Sequence, residues 1–214
     1  MLLDRVRADL GDSVAAVEHF WGGDWPREII VVATGTDAEF AARANLDPNQ
    51  RWTDIAAVSV ADTVDLVRRE VTGARIVLAP GAARMSDSAL RIVLTHELFH
   101  FAARADTAVD APRWLIEGVA DFVARPPAQL PRGAGARTAL PGDADLDGAD
   151  RSAGYDRAWW FARFVADTYG NDGLRRLYVD ACGRGHGDLA TAVREALGTD
   201  LTDLQARWAV WLNR

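Results

Sequence analysis

Apolar residues recur every three or four positions from Leu2 to Phe20 (Leu3, Val6, Leu10, Val14, Val17), which predicts a helix that stops at Gly22-Gly23. The β-branched run Ile29-Ile30-Val31-Val32 predicts a buried strand over Arg27 to Ala33, because such side chains suit a pleated surface. A short helix over Asp37 to Ala44 and a loop over Asn45 to Asp54 follow. Weak alternation over Ile55 to Val60 and the clearer Ala74-Arg75-Ile76-Val77-Leu78 predict two more strands, hence a small sheet. From Ser86 to Ala103 a helical period returns, with Ser86 or Asp87 as cap and Leu90, Val93, Leu94 and Phe101 as apolar stripes. Pro112 stands where a first helical residue tolerates it, and Arg113 to Arg125 reads as the next helix.

Pro126 to Asp150 breaks the pattern, holding four of the eight prolines, several Gly and an Asp cluster, and reads as a long loop. Helical periodicity resumes over Tyr155 to Tyr169, Leu174 to Cys182, Asp188 to Leu197 and Leu201 to Leu212. The layout is α+β: residues 1–104 as a mixed α/β lobe and residues 105–214 as a helical lobe, within one 214-residue domain.

Composition narrows the partners more than the fold. Nearly half of the residues are apolar and eight are Trp, which gives a globular chain with an ample core. A net charge of −7 argues against nucleic acid as a partner. All 24 basic residues are Arg, a pattern of codon usage that carries no function. The single Cys182 excludes an intrachain disulfide or a Cys-rich zinc module, and is expected to be buried and inert. No apolar run reaches the length of a membrane span. Met1-Leu2-Leu3-Asp4-Arg5 lacks the regions of a signal peptide, so the chain is expected either to be cytoplasmic or to follow a targeting segment outside it.

Against that background one pentapeptide stands out: His96-Glu97-Leu98-Phe99-His100, inside the predicted helix 86–103. Residues four apart on a helix share a face, so His96 and His100 can offer two imidazoles to one metal ion while Glu97 stands beside it. With four His and seven Glu in the chain, chance yields this pattern in roughly one such chain in a few hundred. A catalytic zinc site needs a third protein ligand. Glu117, after sixteen intervening residues and on the next helix, is the candidate, and Asp121 one turn later is placed to orient a ligating imidazole. Both carboxylates are otherwise ordinary solvated helix charges.

His96-Glu97-Leu98-Phe99-His100 followed by Pro112-Arg113-Trp114-Leu115-Ile116-Glu117-Gly118-Val119-Ala120-Asp121 resembles the gluzincin metallopeptidases, above all the peptidase MA-like group. The likeness extends to thermolysin-like and alanyl aminopeptidase catalytic domains. It runs from about Leu90 to Trp211, through Tyr155-Asp156-Arg157-Ala158, Tyr169-Gly170 and Arg207-Trp208; the first eighty residues match in layout only. The resemblance implies a zincin fold, Zn2+ held by His96, His100 and Glu117, Glu97 as general base towards a zinc-activated water, and Tyr155 as donor to the oxyanion. It implies a peptide or protein substrate, lying along a sheet edge by strand addition. The Gly-x-Met-Glu-Asn stretch by which the aminopeptidases hold a free amino terminus has no counterpart, since Gly81-Ala82-Ala83-Arg84-Met85 differs, so an endopeptidase is favoured. The group also favours an extracytoplasmic or cell-envelope setting. The alternatives are a zinc-binding regulatory or structural module without turnover and a non-peptide metallohydrolase on the same scaffold.

Three smaller signals complete the reading. Asp143-Ala144-Asp145-Leu146-Asp147-Gly148 has the first half of a calcium loop, but its twelfth position is Gly154 where a bidentate Glu is needed, so Ca2+ is the lesser expectation and a solvated acidic loop the greater. His19 and His186 have no partner at metal spacing. Trp114, beside Glu117, is expected to wedge the two metal helices together.

Overall fold

The computed structural model describes residues 1–47, 52 and 55–214, so the loop predicted over Asn45 to Asp54 lies mostly outside the described residues. The chain is mixed α and β, mainly helical with a small sheet, and divides into two compact units, Met1–Ala105 and Asp106–Arg214. Among the described residues no helix is long and apolar enough to cross a membrane.

In the first unit, α1 (Leu2–Trp21) buries Val6, Asp9, Ser13, Val17 and Phe20, the recurrence of one helical face. That face lies against α3 (Asp87–Ala103), with Asp9 ion-paired to Arg91 at 2.8 Å and the Thr95 hydroxyl donating to Ser13 Oγ at 2.9 Å. The rings of Phe20 and Trp21 sit 6.0 and 5.7 Å from that of Phe99. These contacts fix the rotation of α3 about its own axis. Ser86 caps its first turn by accepting from Ala89 N–H.

The sheet has the order β1-β5-β2, with β1 (Val31–Ala33) parallel and β2 (Ala57–Val60) antiparallel to the central β5 (Arg75–Leu78). All three strands fall inside the stretches that the pattern predicts, trimmed at their ends. Val77 of β5 meets Phe40 and Ala44 beside α2 (Asp37–Arg43), and strand alternation turns Ile76 and Leu78 to the other face. A hairpin of β3 (Thr63–Asp65) and β4 (Glu70–Thr72) was not expected. Its turn is built by Asp65, whose carboxylate accepts from the N–H groups of Val67 and Arg68 at 2.9 and 3.0 Å.

The second unit is helical: α4 (Arg113–Ala124), α5 (Arg151–Cys182, broken at Gly170 where φ is 78°), α6 (Leu189–Leu197) and α7 (Leu201–Trp211). Helix α4 packs on α5 where Gly118 faces Ala158, too close for any side chain. Trp114 turns its ring edge-on to Phe161 of α5 at 5.1 Å, and Phe164, Trp208 and Trp211 continue that aromatic core. The long segment after α4 carries two short 3-10 turns and is tied down by Arg157, a buried residue of α5 whose guanidinium donates to the carbonyls of Arg137 and Ala139.

Candidate metal centre

Helix α3 is buried on most of its circumference, through the stripe Leu90, Leu94, Leu98 and Phe101 and through Thr95, Phe99 and Ala103 beyond it, while His96 and His100 are half-buried. One helical turn apart, they bring their Nε2 atoms to 3.0 Å with the rings edge-to-face. Two nitrogens on a tetrahedral zinc, each at about 2.0–2.1 Å from the ion, stand about 3.3 Å apart, so the pair is within a few tenths of an ångström of that spacing. Among the described residues, His96, His100 and Glu117 form a group that could hold a metal ion, one ligand atom from each lying within 4.8 Å of the others. Two imidazoles and one carboxylate are a donor set that suits zinc.

Glu97 is 9% exposed and points to the sheet, where its Oε2 accepts the main-chain N–H of Ser59 at 2.6 Å. The carbonyl of the same Ser59 accepts from Arg104 Nη2, also at 2.6 Å. Both are charge-assisted bonds, about twice as strong as neutral ones. Ser59 Oγ is itself buried without a hydrogen-bond partner. Strand addition along β2 at this point would therefore compete with two bonds already made.

On α4, Glu117 is half-buried and Asp121 is buried, ion-paired with Arg125 at 2.8 Å. Arg125 also pairs with Asp156 of α5 at 2.7 Å and lies over the Trp159 ring. Tyr155 is the fifth residue of α5, which begins at Arg151, four residues before the expected start. Burial, helped by the negative charges of Glu117 and Asp121 and opposed by Arg113, pushes its phenol up to about 12. The phenol is thus a proton donor throughout the neutral range, beside the carboxylate of Glu117.

The Asp residues of the supposed calcium loop each have their own task. Asp143 accepts Trp114 N–H at 2.8 Å and so caps α4, Asp145 pairs with Arg137 and accepts Gly142 N–H, and Asp147 pairs with Arg113 at 2.7 Å. Pro112, at the N-cap of α4, has no acceptor side chain, which is why Asp143, 29 positions beyond Trp114, supplies one. His186 Nε2 lies 3.5 Å from Asp110, and Cys182 is buried with its thiol pushed up by burial and by the Asp143 charge. Ser59 and Arg104 were not foreseen. The sequence holds no signal for Ser59, because its main chain and not its side chain is used.

Comparison of the chain with models of known families, with curated proteins and with solved structures finds no match.

Proposed function

We propose that this protein is a zinc metallopeptidase of the gluzincin type, favouring internal peptide bonds, with His96, His100 and Glu117 as ligands. The observation that carries the reading is the close group of two imidazoles and one carboxylate, with Glu97 next in sequence to one of them. When bound, Zn2+ supplies Lewis acidity, polarising a carbonyl and bringing the pKa of water from about 15.7 to about 7.

The remaining chemistry belongs to the chain. Glu97 accepts the proton of the attacking water on its carboxylate and returns it to the leaving amine. Its bond to Ser59 N–H holds that carboxylate in one orientation. Tyr155, protonated at working pH, donates a hydrogen bond to the oxyanion, a contribution of about 3 kcal/mol.

Metal analysis combined with a mixed peptide library tests this. The expected result is one zinc per chain and internal cleavages that disappear with a chelator, and also in Glu97→Gln while the zinc stays. Cleavage that survives both changes would overturn the mechanism, and zinc without any cleavage would point to a binding module.

A further inference from the structure

We infer that Arg104 is a positioning residue for Glu97, acting through the main chain of Ser59; the catalytic part of this inference rests on Glu97 being the base proposed above. Ala57 lies opposite Leu78 and Ser59 opposite Ile76, and Ala79 N–H donates to Ala56 C=O. Antiparallel pairs alternate between bonded and non-bonded, so with Ala56 and Ala79 bonded, Ser59 and Ile76 form a non-bonded pair. Both main-chain groups of Ser59 therefore turn away from β5, and among the described residues β2 ends the sheet with no strand on that side.

Helix α3 takes both groups. Glu97 accepts the N–H and Arg104 donates to the C=O, each at 2.6 Å. Residues 97 and 104 are seven apart, two helical turns, and Arg104 keeps helical backbone angles at the end of α3 (φ −53°, ψ −43°), so the two side chains leave the same side of the helix. The two bonds grip the peptide planes before and after the Ser59 Cα, which fixes φ and ψ there. With those torsions fixed, the N–H direction is fixed, and with it the carboxylate that the N–H holds. Arg104 thereby sets the aim of Glu97 through the Ser59 main chain. The Ser59 hydroxyl takes no part, being buried without a partner.

The test reads the clamp and the catalysis separately, on the full chain. Amide hydrogen exchange at Ser59, followed by NMR without metal or substrate, is expected to rise about tenfold in Arg104→Ala, with Val77 in the centre of the sheet unchanged. Arg104→Lys, which keeps one charged donor, is expected to fall between, and Ser59→Ala to match the wild type. On a cleaved peptide, Arg104→Ala is expected to lower kcat about tenfold at unchanged KM and zinc content, and Arg104→Lys to restore part of it. Unchanged Ser59 exchange in Arg104→Ala, or an equal loss in the Lys variant, overturns the inference. If Arg104→Ala does not fold, Arg104→Gln and Arg104→Lys carry the same comparison. A chain that binds zinc and cleaves nothing refutes the metallopeptidase reading, and the exchange comparison then upholds or overturns the clamp by itself.

Discussion

Gly118 of α4 and Ala158 of α5 meet backbone to backbone: a Cβ on Gly118 would come within 2.7 Å of the Ala158 carbonyl carbon. The two helices have to separate, or one has to shift, before any larger residue fits. Gly118→Ala is therefore expected to destabilise the chain by about 1–3 kcal/mol, the usual cost of overpacking. Gly11→Ala is the control, because that glycine is exposed in α1 with open space around it, and alanine there is expected to stabilise by about 0.5–1 kcal/mol. Urea unfolding of both variants checks the pair of opposite signs; a stable Gly118→Ala would remove the account of why this position lacks a side chain.

Asp143 caps α4 from a distant part of the chain, and removing a cap costs about 1 kcal/mol. Asp143→Ala is expected to lower stability by about that amount and Asp143→Asn, which keeps an acceptor, by less. Since Asp143, Asp145 and Asp147 bond to three different partners, Ca2+ is expected to leave the melting temperature where it was. A calcium-dependent rise would mean that these carboxylates regroup around the ion.

Cys182 titrates far above its ordinary value because burial disfavours the thiolate, with the Asp143 charge adding to that. A folded-state value raised above the unfolded one gives stability that is whole below about pH 9 and is lost as the pH climbs beyond it. Alkylation by iodoacetamide at pH 8 should be negligible in the folded chain and complete in urea. Rapid labelling of the native protein would show that the thiol is reachable.

Zinc binds only the folded chain under the proposed ligand set, so at a hundredfold excess over Kd it should add about 2.7 kcal/mol of stability. The rise in melting temperature is expected to vanish in His96→Ala and to shrink in Glu117→Gln. An undiminished shift in His96→Ala would place the zinc elsewhere.

Periodicity revealed the elements whose apolar positions fall on one face. The helices and the three strands of the sheet were legible because Val6, Val17, Ile76, Val77 and Leu98 are buried at the spacing their element demands. The β3–β4 hairpin was illegible for the opposite reason: each strand has three residues and a single Val, Val64 paired with Val71, flanked by exposed Thr63, Glu70 and Thr72, which is too short to show a period. The helix break was visible as Tyr169-Gly170 but not the continuation of α5 across it. Among the candidate site residues, the His pair follows from helical geometry alone. The bonds that hold Glu97 did not, since they run to peptide groups, and every residue has those.

The capping of Ser59 bears on how inactive protein should be made. A buried amide left without an acceptor costs about 1–3 kcal/mol. Glutamine at position 97 still offers an oxygen to Ser59 N–H, whereas alanine leaves that amide unmet beneath α3. Glu97→Gln should unfold in urea close to the wild type and Glu97→Ala well before it, which makes the first the variant to crystallise with a substrate.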